Sequence, residues 1–136
     1  FVDDYAHLPT EVDAALQAAG STEPQRLVAV FQPHRYSRTA AVGADFADTF
    51  DRADVVGVTE IYSAGEAPRP GVSGRLVFEA VQGGAHPPRS VWLPHRDDVI
   101  TWLLDELRPG DLCLTLGAGD LTSVPDEVQD RLRERT

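Results

Sequence analysis

Short, Val/Leu-rich runs closed by proline, glycine or a polar residue recur along this chain, with helically spaced stretches between them. Arg26–Pro33 (RLVAVFQP), Asp54–Ile61 (DVVGVTEI), Ser90–Pro94 (SVWLP) and Asp111–Gly117 (DLCLTLG) are such runs, and Phe1–Asp3 reads as the tail of another. A strand with one wet face alternates apolar and polar side chains. These runs do not, so both of their faces must be covered, which favours a parallel sheet. Between them Val12, Leu16 and Ala19 share one helical face, as do Val42, Phe46 and Phe50. Val99, Ile100, Leu103, Leu104 and Leu107 make the strongest stripe, and Leu76, Val77, Ala80 and Val81 a shorter one. The last helix is expected to open at Ser123 with Asp126 three residues on, a capping-box-like start with Pro125 in its first turn.

Strand–helix alternation of this kind predicts an α/β fold. The expectation is a three-layer, Rossmann-like open sandwich with a mostly parallel sheet of about five or six strands, helices on both faces and right-handed crossovers. One domain over residues 1–136 is expected, because a chain of that length buries enough surface to fold without a staple. Cys113 sits inside an apolar run and reads as a buried strand thiol, not a nucleophile. The formal net charge of −10 argues against nucleic acid as a partner, since a duplex binder needs a basic surface. No run approaches a membrane span or a secretory leader. Every basic residue is arginine, so a G-x-x-x-x-G-K-[ST] phosphate loop cannot exist in this chain. The chain also lacks methionine, and it is expected to be a piece of a longer or processed protein.

In open parallel sheets, ligands sit beyond the carboxyl ends of the strands. The chemically capable residues follow that rule: DDYAH ends the first strand, PHRYSR the second, EIYSAGE the third, PHRDD the fourth and GAGD the fifth. Asp3, Asp4, Tyr5 and His7 concentrate groups that are costly to bury unpaired. Arg35 and Arg38 fall where the next helix begins. There the dipole is already positive, so two cations make sense if an anion completes the site. The competing account is that they pair with Asp3 or Asp4. His7 could assist proton transfer or only donate a hydrogen bond. Gly117-Ala118-Gly119-Asp120 lacks the third glycine of a dinucleotide turn and reads as tight strand-to-helix packing. His95-Arg96-Asp97-Asp98 reads as a helix start, and His86 as solvated in its Pro-Pro loop. The spacing of the four histidines predicts no dedicated metal site.

DDYAHLPTEV, FQPHRYSRT, IYSAGEAPRPGVS and TLGAGD, in this order and spacing, resemble the C-terminal domain of bacterial Mur ligases over nearly the whole chain. D-Y-A-H-x-P is shared with folylpolyglutamate synthases, whereas FQPHRYSRT and the YSAGE loop point to the alanine-adding member. The resemblance implies a cytoplasmic ligase of peptidoglycan precursor synthesis that joins L-alanine to UDP-N-acetylmuramate through an acyl phosphate. ATP and magnesium would serve the full-length enzyme, neither held tightly by this domain alone. The partners would be separate domains for the UDP sugar and for ATP, with no membrane. It further implies that Asp4 lies near the ATP ribose, and that Tyr5, His7 and His34 line the amino-acid pocket. Arg35 and Arg38 would hold the amino acid's carboxylate. Gly119 and Asp120 would share the rim, as would Asp3, without an assigned role. Leu8 departs from the family, which usually has a second histidine there. The alternatives are a ligase for another amino acid or peptide, and a stand-alone α/β module that binds a small molecule.

Overall fold

The computed structural model describes residues 1–135, so only Thr136 of the expected 1–136 domain lies outside the described residues. Among them five strands form one sheet: β1 (Val2–Asp4), β2 (Arg26–Phe31), β3 (Val55–Val58), β4 (Arg89–Trp92) and β5 (Asp111–Leu116). Their order is β1-β5-β2-β3-β4, with every neighbouring pair parallel. The helices are α1 (Pro9–Gly20), α2 (Tyr36–Val42), α3 (Arg75–Gln82), α4 (Arg96–Glu106) and α5 (Val124–Glu134). The expected three-layer α/β sandwich is what forms, with the sheet at the lower limit of the expected strand count.

The step from β1 through β2 and β3 to β4 crosses the sheet in one direction, and the residues of α1, α2 and α3 pack on one face. The step from β4 back to β5 reverses direction, and α4 and α5 cover the other face. Crossovers that keep one hand must change face when they change direction, so strand order dictates which helix lies where. Strand β2 shows the result. Leu27, Ala29 and Phe31 meet Val12 and Leu16 on one side, while Val28 and Val30 meet Val99, Ile100 and Leu103 on the other. At the amino ends, Arg26 grips Asp111 with two bonds (Nε to Oδ1 at 3.1 Å, Nη2 to Oδ2 at 2.7 Å) and donates to the Glu106 carbonyl at 2.8 Å. Arg26 and Asp111 are register partners, so this fork locks β2 to β5. Cys113 is buried, and that burial pushes its thiol up to about 12, which keeps it inert.

Three local expectations need correction. The helix through Val42, Phe46 and Phe50 ends at Val42, and a 3₁₀ turn, Gly43–Phe46, follows. Gly43 sits so close to α3 that a Cβ there would lie 3.5 Å from that of Leu76. Both phenylalanines are buried all the same, with ring centres 4.8 Å (Phe46) and 5.6 Å (Phe50) from Phe31. In α3 the buried face is Val77, Phe78 and Val81, while Leu76 is exposed, so the stripe is rotated by one residue. Ser123 does not cap α5. The chain enters that helix from a 3₁₀ turn, Asp120–Ser123, so Ser123 has helical rather than extended torsions, and its hydroxyl donates to the Asp120 carbonyl.

Phe31 joins the two phenylalanines of the loop to the centre of the sheet. Phe31→Ala is expected to cost about 3–5 kcal/mol of unfolding free energy in a denaturant titration. A loss below about 1 kcal/mol would mean that the site collapses onto the missing ring.

Candidate functional site

All five strands point their carboxyl ends at one rim, and the chain's reactive side chains emerge there. Alternation along β1 divides the two aspartates. Asp3, the register partner of Thr115, accepts that buried threonine's hydroxyl. Asp4 projects to the opposite face, where its Oδ1 accepts the Ala6 amide at 2.8 Å. Neither aspartate pairs with Arg35 or Arg38 among the described residues, so the account in which these acids absorb the arginines fails.

The segment from Tyr5 to Leu8 is held from below by Glu11. Pro9 opens α1, and Glu11 in its first turn accepts the amides of Leu8 at 3.1 Å and His7 at 3.3 Å. Those two amide bonds, the Leu8 bond foremost, hold its carboxyl below the usual carboxylate range. His7 is thereby fixed beside His34, with ring centres 5.4 Å apart. Tyr5 is mostly exposed.

The two rings carry opposite protonation patterns. The Tyr5 carbonyl, 3.0 Å from His7 Nδ1, can only accept, so Nδ1 bears the proton and neutral His7 keeps a bare Nε2. The Arg38 guanidinium, 3.3 Å from His34 Nδ1, can only donate, so His34 has a bare Nδ1 and a protonated Nε2. The rim thus presents one imidazole acceptor and one imidazole donor side by side. Burial foremost, then the neighbouring His7 ring and the Arg38 and Arg35 guanidinium groups, hold His34 below its usual pKa, with Glu66 opposing.

Arg35 precedes α2 at φ 68° and ψ 140°, a conformation that side chains rarely adopt. Its backbone is fixed all the same. Its amide donates to the Tyr62 carbonyl at 2.8 Å, its carbonyl accepts the Thr39 hydroxyl at 2.9 Å, and Tyr62 returns a bond to Pro33. Its guanidinium is exposed and, among the described residues, engages no hydrogen bond or ion pair. The Ser37 amide in the first turn of α2 is not open to an added anion in the way the sequence implied. Glu66 takes the Ser37 amide at 3.0 Å and the Ser37 hydroxyl at 2.6 Å. Anion-binding capacity here therefore rests chiefly on the arginine side chains.

Gly119 and Asp120 organise a different part of the rim. Gln32 Nε2 donates to Asp120 Oδ1 at 2.6 Å. A Cβ on Gly119 would lie 2.4 Å from the Tyr62 ring and 2.7 Å from Gln32 Oε1, so the close packing is against these side chains and not against a helix. Tyr62 in turn stacks on His34, with ring centres 5.8 Å apart. Its ring separates the His7–His34–Arg38 group from a cleft of about 310 Å³ lined by Glu60, His95, Arg96 and Asp120 among others. The structure thus brings His7, His34 and Arg38 together with Arg35 adjacent, sets Asp3 on the opposite face of β1 from Asp4, and gives Asp120 a structural partner. Glu11, Gln32, Tyr62 and Glu66 were not singled out as site residues. Glu11 had a legible signal, an acid in the first turn of a helix that opens on proline.

The family model described as Mur ligase, glutamate ligase domain, matches residues 1–119. The chain is 47% identical over 134 residues to the UDP-N-acetylmuramate--L-alanine ligase of Pelotomaculum thermopropionicum, covering 98% of this chain and 29% of that protein. It is 47% identical over 133 residues to the protein of the same name from Rubrobacter xylanophilus, covering 96% and 30%. It therefore spans less than a third of the length of these curated relatives. Among solved structures, a murein peptide ligase from Psychrobacter arcticus superposes with a TM-score of 0.73 at 19% identity, over 94% of this chain and 26% of that one. A UDP-N-acetylmuramoyl-L-alanyl-D-glutamate--2,6-diaminopimelate ligase superposes with a TM-score of 0.69 at 18% identity, over 98% and 29%. At those identities the likeness speaks for the fold.

The lowered pKa of His34 means that the unfolded chain binds this proton more tightly than the folded one. Its contribution to stability is therefore intact above the usual histidine value of 6.5 and is lost as pH falls through the lowered folded value. In an NMR titration the His34 ring should show a midpoint below 6.5, and Arg38→Ala should raise it only in part, because burial dominates. A midpoint at or above 6.5 would contradict the neutral, Arg38-facing ring.

Proposed function

Since the chain belongs to the Mur ligase family, as its C-terminal, glutamate ligase domain, we propose that it is the amino-acid-positioning domain of a ligase that adds L-alanine to UDP-N-acetylmuramate. The observation that carries this proposal is the unpaired Arg35 guanidinium on a fixed backbone, beside Arg38 and the two oppositely protonated histidines. An amino acid offers a carboxylate and an amine, and this surface offers a match for each. Arg35 and Arg38 bind the carboxylate, with Tyr5 and His34 lining the pocket. His7, whose bare nitrogen accepts, takes a proton from the attacking amine.

In the proposed reaction the lactyl carboxylate of the sugar nucleotide attacks the terminal phosphorus of ATP, and ADP leaves. The alanine amine then attacks the acyl phosphate carbon, phosphate leaves with the C–O electron pair, and the new amide loses its extra proton. This domain's share is orientation: holding the amine against a reactive acyl group saves much of the entropy of a bimolecular encounter. Asp4, with Oδ1 occupied by Ala6, keeps Oδ2 to accept an ATP ribose hydroxyl. Magnesium accompanies ATP in such chemistry. Among the described residues no three His, Cys, Asp or Glu side chains converge to hold a cation, so no step is assigned to one here. The sugar nucleotide and the ATP phosphates would be served by further domains, since this chain has no lysine for a phosphate loop. Among the described residues no helix is long and apolar enough to cross a membrane. The enzyme is proposed to be cytoplasmic on its family resemblance.

The test is an amino-acid panel with the full-length enzyme, in which L-alanine should support ATP-dependent amide formation. Turnover with a peptide instead would transfer the proposal to a different ligase. Within that enzyme Arg35→Ala should lower kcat/KM for alanine by an amount equivalent to about 1.5–3 kcal/mol, the scale of a hydrogen bond to a charged group. Unchanged KM and kcat would remove Arg35 from the pocket. The 136-residue chain alone should neither hydrolyse ATP nor form the amide, and detectable turnover by it would overturn the division of labour between domains.

A further inference from the structure

Glu66 lies in the loop after β3, far in sequence from the histidines and arginines of the rim, yet its carboxylate ends on the first turn of α2. Oε1 accepts the Ser37 amide at 3.0 Å and Oε2 accepts the Ser37 hydroxyl at 2.6 Å. The Ser37 hydroxyl and amide, in that order, hold this carboxyl below the usual carboxylate range. The reach is made by a tight turn in which Glu66 donates its amide to the Ser63 carbonyl at 3.0 Å, with Ala64 at φ 51° and Gly65 at φ 88°. Positive φ at both central residues is the mark of a type I′ turn, and alanine is an unfavourable occupant.

The described chain has three non-glycine residues at positive φ: Glu23, Arg35 and Ala64. Glu23 lies at the opposite end of the sheet, in the connection from α1 to β2. The other two flank the Glu66–Ser37 contact. Such conformations persist where surrounding bonds over-determine them. Around Arg35 those bonds all come from two places: Tyr62 and Glu66 on the loop after β3, and Thr39 on α2.

We infer that Glu66 is a positioning residue for the amino-acid site: it clamps Ser37 and so holds Arg35 in the strained backbone geometry that presents its guanidinium at the rim. The inference rests on the proposed role of Arg35. Glu66 touches no substrate in this scheme and acts chiefly through Arg35. Its removal should therefore weaken the use of the amino acid while leaving the use of ATP alone. Removing Glu66 from a variant that already lacks Arg35 should add nothing further.

The experiment is steady-state kinetics on the full-length enzyme with Glu66→Ala, Arg35→Ala and the double variant, with L-alanine and ATP varied in turn. Glu66→Ala should raise KM for alanine by about tenfold or more, the scale of losing a charge-assisted hydrogen bond, with KM for ATP within about twofold. The double variant should match Arg35→Ala, because both losses pass through one side chain. An alanine KM within about twofold of the parent, an equal rise for ATP, or multiplicative losses in the double variant would each overturn the inference. If Glu66→Ala fails to fold, Ser37→Ala removes one of the two bonds and should raise the alanine KM by about threefold, with no change counting against the clamp. Should Arg35→Ala itself leave alanine use intact, the failure lies with the proposed pocket and not with Glu66.

Discussion

Everything at the rim depends on β5 entering between β1 and β2 as a parallel strand. Six consecutive register pairs join it to β2 and three join it to β1. Without β5, β1 would have no partner, and the residues that follow it would have no fixed relation to the loop after β2. With it, the segment carrying His7 and the segment carrying His34 leave the sheet on the same face, and their rings meet. The fork of Arg26 on Asp111 fixes the register at the amino ends, and at the carboxyl ends Gln32 holds Asp120. A slip of one residue would turn every side chain of β5 to the other face, exchanging Leu114 and Leu116 for Thr115 in the core.

The electrostatics of the site follow from that meeting. A guanidinium offers only donors and a backbone carbonyl only acceptors, so Arg38 and Tyr5 select the tautomers of the neutral His34 and His7 rings. A protonated His34 would face three positive or titratable neighbours, His7, Arg38 and Arg35, against the single carboxylate of Glu66. The neutral ring is thus the favoured state in these surroundings.

Much of this was legible in the sequence, for identifiable reasons. Double-sided burial leaves a clear trace, so β2, β3 and β5 could be read almost residue by residue. The strand-end rule then put the right motifs on one rim. What failed was local. Helix faces were misjudged by one position in α3, and by a premature end of α2 where Gly43 approaches Leu76, because tertiary packing decides such rotations. The division of Asp3 from Asp4 follows from strand alternation, but only once β1 is known to run through Asp4 and not to stop at Asp3. The contact of Glu66 with Ser37 spans two loops, and nothing in the composition of either announces it.

Arg35 shows how rigidity and freedom are apportioned. Its left-handed backbone, at a cost of about 1–3 kcal/mol for such a conformation, is held from two elements, while its guanidinium makes no hydrogen bond or ion pair among the described residues. Fixing the root of a long side chain narrows the volume its tip explores and so lowers the entropy lost on binding, yet the tip can still adjust to an incoming carboxylate. His34 and Arg38 follow the opposite rule, since stacking on Tyr62 and a hydrogen bond between them settle both in advance. Under the proposed function, a surface that pre-orders its neutral donor and acceptor while leaving one cation free suits an anion that arrives with a second, weaker handle. An amino acid with a carboxylate and an amine has that form.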